Sequence, residues 1–439
     1  MSARSERSEP RSREQTGVTA PYLPEADIRR RARDGTAAVF PDLDGYGRTL
    51  FGAVPRTVAD GIDLARVVPP VFVPGRLEKL VDLGREPLHR DVGLATTVGG
   101  FRCPLPVFLC AFGSTQVACG GLGVAAGRQA GRLGIPMVVG ENVVPMHGYG
   151  RGVQPPDSGL LARIRAYAQA VPDGLGGVVV QQSTEDADAE VWNLVYSDPY
   201  ATGLLAGGRL AFELKVGQGA KPGLGGMTVL SRAAAAGVLR RYAVDEAFGP
   251  DAAMVLRSSS PGTFTEEILR HQVRLMRNNY PRARVWVKLH PGRDVGHAAR
   301  VAWAAGADAV TVDGAEAGTG WAPSVFLDHV GLPLAECLRR IGKHDASLLV
   351  SGRIWEGARA LKCLALGASA VGLGRAALLA VDTDAQDGLV RLVRCLELEL
   401  RLLLSALGRY DVAELTADDL WTGGTGGAAG TGEEHDDQL

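Results

Sequence analysis

The 439-residue sequence has no excess of either charge. Lys and Arg number 47 against 49 Asp and Glu, a formal net charge of -2. This excludes the basic field that non-specific nucleic-acid binding needs, and an acidic field for cationic partners. There is no run of about 18 uncharged apolar residues, which excludes a membrane-spanning helix. Cysteines are few (Cys103, Cys110, Cys119, Cys337, Cys363 and Cys395), and none forms a C-x-x-C pair. The opening stretch "MSARSERSEPRSREQTG" lacks an apolar signal core. A reduced thiol set and a cytoplasmic location are therefore expected, with neither a disulfide framework nor a zinc site. The sequence also contains no G-x-S-x-G, no H-E-x-x-H and no Walker lysine loop. His147, His290 and His297 lack metal-ligand spacing, so no metal is expected.

Glycine, by contrast, is abundant at 58 residues, alongside 46% hydrophobic and 22% charged content. Residues 1–20 and 422–439 are poor in large apolar side chains and read as disordered tails. Residues 21–103 form a Pro-rich pre-barrel segment with one helical piece, "EADIRRRARDG". Over residues 104–415 a rhythm sets in. Apolar runs stand at 106–111, 135–139, 177–182, 210–215, 284–289, 308–312, 347–350 and 370–373. Segments of helical period follow, such as "GLGVAAGRQAGRLG", "TEEILRHQVRLMRNN", "VGHAARVAWAAG" and "IWEGARALKCLALG". Apolar strands alternating with helices imply a parallel sheet covered on both faces, and eight units imply a closed (β/α)8 TIM barrel. A ninth run, 252–261, is one too many and is assigned to an excursion between the fourth and fifth strands. The final "DGLVRLVRCLELELRLLLSALG" is expected to be a long amphipathic helix packed across the barrel.

In this fold chemistry sits where strands end. Gly352 and Arg353 follow the seventh strand and Gly374 and Arg375 the eighth. Paired glycine loops at helix N-termini predict a phosphate site, to which the two arginines add charge-assisted bonds. Lys288 lies on the otherwise apolar strand "VWVKL", a costly place unless it points into the barrel mouth and meets negative charge. The stretch "FELKVGQGAKPGLGG" (212–226) reads as a half-buried strand, Phe212, Leu214 and Val216 alternating with Glu213 and Lys215, that runs into a loop carrying Lys221. "DGAEAGTGWAP" (313–323), "AFGST" (111–115) and "VGENVV" (139–144) are each weak signals alone.

Together these stretches resemble the FMN-binding synthase domain of glutamate synthase, especially its short stand-alone type. "ELKVGQGAKPGLGG" carries the most specific likeness. "VKL" (287–289), "GTGWAPSVFLDHVGLP" (318–333), "AFGST", "VGENVV" and the pre-barrel "FVPGRLEKLVDLGREPLHRDVGL" (72–94) are similar in type and order, so the likeness covers roughly residues 22–415. The resemblance implies FMN as cofactor and hydride transfer between flavin N5 and the α-carbon of an imino- or amino-acid-like substrate. It implies that Gly352, Arg353, Gly374 and Arg375 hold the FMN phosphate. Gly113, Ser114, Gln182, Gln218, Lys288, Glu316, Gly318, Thr319 and Gly320 would then line the flavin. Glu141, Lys215 and Lys221 would be the catalytic and substrate-pocket residues. A homo-oligomer is expected on the same ground.

The departures from that family narrow the expectation. Met1 is followed by Ser2 rather than a glutaminase cysteine, and "GRAALLAVDTDAQDG" replaces a cysteine-rich iron–sulfur loop. "GGMTVLSR" and "RSSSPGTF" replace family segments that overhang the substrate. Electrons would come from NAD(P)H, a separate reductase or the substrate itself, and ammonia from solution or a partner. Two alternatives stand beside this one: an FMN oxidase or dehydrogenase using O2, and a flavin-binding subunit of an amidotransferase-like assembly. The α-hydroxy acid oxidases share the phosphate half, but their histidine loop is matched here by "VDGAEAGTG", which has no histidine.

Overall fold

The computed structural model describes residues 18–20, 22–39, 60–112, 121–140, 159–184, 189–219, 221, 228–236, 239, 242–246, 250–251, 253–258, 263–318 and 324–423. Each of the eight apolar runs forms a strand. They are β1 Val107–Phe112, β2 Met137–Val139, β3 Val178–Ser183, β4 Leu210–Lys215, β5 Arg284–Leu289, β6 Ala309–Asp313, β7 Ser347–Ser351 and β8 Ala370–Leu373. Neighbours pair in parallel and β8 returns to β1, closing the barrel in sequence order. Outer helices follow as α1 Gly123–Leu133, α2 Leu160–Ala168, α3 Pro199–Ala206, α4 Glu266–Asn279, α5 Val295–Ala305, α6 Leu334–Ile341, α7 Gly357–Ala365 and α8 Arg375–Thr383. The ninth run is the excursion expected of it. Met254–Ser258 pairs antiparallel with Thr228–Ser231 and Ala243–Asp245, in a separate sheet between β4 and α4.

Strand alternation divides the core in two, because successive side chains point to opposite faces. Phe212, Leu214, Val285 and Val287 face the helices. Phe108, Val138, Val179, Ala211, Trp286, Ala309, Leu349 and Ala370 fill the barrel interior. A hairpin, Thr96–Val98 with Phe101–Cys103, plugs the amino-terminal end of the barrel. Trp286 Nε1 donates to Gly99 O at 3.0 Å. Gly99 has φ 56°, and a Cβ there would fall 2.1 Å from the Trp286 ring, so this corner accepts only glycine.

Three expectations change. The alternation in "FELK" does not mark a half-buried strand: Glu213 is as buried as Phe212, because in a barrel the second face is an interior and not solvent. The final helix, Gly388–Leu407, does not cross the barrel. It lies on the outer wall among α7, α8, α1 and the amino-terminal helix Glu25–Asp34, because its apolar stripe fits the groove left there. Residues 18–20, assigned to a tail, are seated: Val18 N donates to Asp382 and Ala20 is buried. Among the described residues no helix is long and apolar enough to cross a membrane.

Candidate functional site

Above its apolar floor the barrel interior turns polar. Gln181, Glu213, Lys288, Thr311, Asp313 and Ser351 project inward from β3, β4, β5, β6 and β7, and all are buried. Lys288 Nζ lies 3.1 Å from Asp313 Oδ2. Asp313 Oδ1 accepts from the Ser351 hydroxyl. Glu213 accepts from Thr311 Oγ1 at 2.8 Å and from the Gln181 amide. Burial works against the Lys288 charge, but Asp313, Cys110 and Glu213 outweigh it and hold its pKa above the ordinary value. Burial pushes the Glu213 carboxyl up, with the Lys288 charge opposing. The Cys110 thiol beneath them is pushed up to about 12 by burial, which leaves it an inert thiol at neutral pH.

One strand end supplies a further cation. Lys215 is the last residue of β4, in register with Ser183 on one side and Lys288 on the other. Its Nζ is 3.5 Å from Gln218 Oε1. Gln218 and Lys221 then exchange backbone bonds of 2.8 and 3.3 Å, a narrow turn with Gly219 at φ 44°. Lys215, Gln218, Lys221 and Lys288 thus share one sector of the carboxyl-terminal face. Gln182 does not join them. The pleat sends Gln181 inward and Gln182 to the opposite face, beside Leu214, where its amide donates to Gln181 O at 2.9 Å.

A second cluster sits at the ends of β6, β7 and β8. Arg375 opens α8 behind Gly374, and among the described residues no side chain caps that helix, so its first amide N–H groups and positive dipole end suit an anion. Arg375 Nη2 donates to Glu316 O at 2.7 Å, and a Cβ on Gly318 would meet the Arg375 side chain at 3.1 Å. Burial, with the neighbouring Arg353 charge, lowers the Arg375 pKa from its usual value. Arg353 has φ 53°, left-handed backbone in a non-glycine residue. The helix after β7 begins at Gly357, several residues beyond the expected opening at Gly352, so Gly352 and Arg353 form a loop; Gly352 O accepts from Arg359 Nε at 2.8 Å.

The Glu316 carboxylate lies against Gly352, where a Cβ would meet it at 3.2 Å. It accepts from Leu334 N at the start of α6 and from Arg359 Nη2 at 2.8 Å. Arg359 also binds Asp60 at 2.7 Å and Asp63 at 2.9 Å. Burial pushes the Glu316 carboxyl up to about 7, against the pull of Arg359, and Asp60 shares a hydrogen bond with it. The folded state therefore holds a proton that the unfolded chain, with an ordinary value of 4.5, releases earlier. Stability from this group is complete below about pH 4.5 and declines as the pH rises through about 7. Glu316→Gln is expected to flatten that decline relative to wild type, read as urea midpoints between pH 4.5 and 7.5; parallel profiles would refute it.

Glu141, Gly113, Ser114, Thr319 and Gly320 lie outside the described residues. Sequence reading missed Gln181, Glu213, Asp313, Asp60, Asp63 and Arg359. An acid within "AFELK" and another ending "AVTVD" were the available signals for Glu213 and Asp313, since both lie on strands that are otherwise apolar inside a buried sheet.

Residues 207–387 match the family model described as the conserved region in glutamate synthase. The archaeal-type glutamate synthase [NADPH] of Dehalococcoides mccartyi is 34% identical over 186 residues, which is 40% of this chain and 36% of that one. The match thus spans little more than a third of that relative's length. Among solved structures, a soluble mutant of (S)-mandelate dehydrogenase from Pseudomonas putida superposes with a TM-score of 0.53 at 19% identity, covering 92% of this chain and 100% of that one. The flavin-binding domain of baker's yeast flavocytochrome b2 gives 0.50 at 18% identity, covering 82% and 77%. These two likenesses are to the fold.

Proposed function

We propose that this chain is an FMN-dependent oxidoreductase of the glutamate synthase type, acting on a small imino- or amino-acid-like molecule. The observation that carries the reading is the meeting of Arg353, Arg375 and the uncapped start of α8 at one edge of a barrel mouth whose interior holds Lys288. Two adjacent guanidiniums beside open amide N–H groups suit a phosphate dianion. The buried Lys288–Asp313 pair suits a planar ring set over it that gains and loses charge. The match to glutamate synthase over residues 207–387 supports the same assignment.

Bound there, FMN would supply hydride chemistry at N5. The chain's own residues would do the rest. Arg353, Arg375 and the α8 amides hold the phosphate, while Lys288, fixed by Asp313, keeps a permanent cation inside the barrel. Lys215 and Lys221 present cations to a substrate carboxylate from the β4 end, with Gln218 orienting Lys215. Glu141, two positions after β2 in the sequence, would move the proton that accompanies hydride transfer to or from a carbon bearing nitrogen. Electron supply from NADPH is the first donor to test, given the name of the Dehalococcoides relative.

The test compares FMN with riboflavin, which lacks the phosphate. Wild-type protein should bind FMN well and riboflavin more weakly. Arg353→Ala/Arg375→Ala should lose FMN affinity by roughly 100-fold, as removal of two charge-assisted hydrogen bonds implies, with riboflavin affinity little changed. A wild-type protein that takes up neither ligand would overturn the reading. Anaerobic NADPH then separates a self-sufficient reductase, whose bound flavin bleaches, from one fed by a partner or by its own substrate.

A further inference from the structure

Before the barrel begins, residues Gly61–Leu64 form one helical turn capped by Asp60, whose carboxylate accepts from Ile62 N and Asp63 N at 2.9 and 2.8 Å. The turn is wedged between α6 and α7: Ile62 is fully buried, and a Cβ on Gly61 would meet Ala335 at 2.9 Å. Lys362 Nζ reaches Asp63 O at 3.4 Å. This turn delivers Asp63 to the underside of the loop after β7. Its two carboxylate oxygens are divided: Oδ1 accepts from Arg359 and Oδ2 from Arg353 Nη1, each at 2.9 Å.

Arg353 needs such a partner for two reasons. Left-handed backbone costs a non-glycine residue on the order of 1 kcal/mol or more, and persists only where the surroundings hold it. Arg353 also stands close enough to Arg375 for their charges to repel. A carboxylate on the inner side of Arg353 offsets that repulsion and fixes the direction of the guanidinium. Among the described residues Arg353 Nε is buried without a hydrogen-bond partner, and the guanidinium is held through Nη1 to Asp63.

We propose that Asp63, contributed by the segment ahead of the barrel, is a positioning residue of the anion site: through its bond to Arg353 it sets that guanidinium toward the phosphate of the bound mononucleotide. This rests on the phosphate reading above and extends it to a residue far from the barrel in sequence. By linkage the coupling runs both ways, so an occupied phosphate site must also steady residues 60–64.

Three variants and one exchange measurement test it. Asp63→Asn should weaken FMN binding about 5- to 20-fold, the effect of one charge-assisted bond, and leave riboflavin affinity near wild type. Asp60→Asn, which touches Arg359 but not Arg353, should lower thermal stability yet keep the FMN-to-riboflavin affinity ratio. In an Arg353→Gln background, Asp63→Asn should have no further effect on that ratio. On wild-type protein, FMN should slow amide exchange in residues 60–66 and riboflavin should not, a readout that stands even where Asp63→Asn does not fold. An unchanged ratio in Asp63→Asn, an equal fall in Asp60→Asn, or the same protection from both ligands would each overturn the proposal. A wild-type protein that binds neither ligand fails the phosphate reading instead, which keeps the two apart.

Discussion

Lys288→Met is expected to destabilise the protein by about 3–5 kcal/mol, the cost of leaving a buried charge without its partner. Lys288, Asp313 and Glu213 stand inside the barrel with almost no solvent access. Methionine has nearly the volume of lysine, so the packing survives and the electrostatics do not. Asp313 would keep only Ser351, and Glu213 only Thr311 and Gln181. The double variant Lys288→Met/Asp313→Asn should regain most of the loss, because the amide neutralises the orphaned charge while still accepting from Ser351. Urea unfolding of the ligand-free protein at pH 7 measures both. A single variant within 1 kcal/mol of wild type would mean that the interior carboxylates are already neutral, and the permanent cation assigned to Lys288 would lose its support.

The second large effect belongs to Arg359, which is 1% exposed and donates five hydrogen bonds, to Gly352 O, Asp60, Asp63 and Glu316. Arg359→Met should cost at least about 4 kcal/mol or prevent folding, since Asp60, Asp63 and Glu316 would lose the cation they share and Arg353, bonded to Asp63, would be left to balance the cluster. Arg359→Lys is the sharper experiment. Lysine keeps the charge but offers three donors from a single point, so it cannot serve the loop carbonyl and the carboxylates at once. We expect it to fold with a loss of about 2–3 kcal/mol and with faster amide exchange in residues 60–66. A Lys variant indistinguishable from wild type would show that charge alone, and not the planar fork, organises the cluster.

Much of the architecture was legible because a buried parallel strand is a short unbroken apolar run. All eight runs coincide with barrel strands, their ends differing by at most two residues. The glycine–arginine pairs at two successive strand ends were legible as well, and the structure brings Arg353 and Arg375 close together. What escaped was pairing at a distance. Asp63 meets Arg359 across 296 residues, and nothing near "GIDL" marks its aspartate as a partner of "EGARAL". The choice between Gln181 and Gln182 turned on a single step of the pleat, which composition cannot resolve when both faces of a strand are buried. The acids of the barrel interior were hidden for the same reason: periodicity distinguishes the two faces of β4 without saying that neither meets water.

The seam between the two ends of the chain has a consequence for how the protein is made. Arg31 pairs with Glu399, 368 residues later, and Arg66–Val67 lies against Leu420–Trp421 as a two-stranded ribbon. The buried stripe of Glu25–Asp34, Ile28 and Ala32, rests on α8 and the last helix. On the ribosome, at roughly 5–20 residues per second, this first segment waits on the order of 20–70 s before its partners exist. During that time its apolar stripe has no native cover, and β1 has no β8 to close against. Folding of the first hundred residues is therefore governed by the pace of translation and by whatever shields a nascent chain. Slowing synthesis over the last quarter of the message would lengthen the interval in which that stripe stands uncovered.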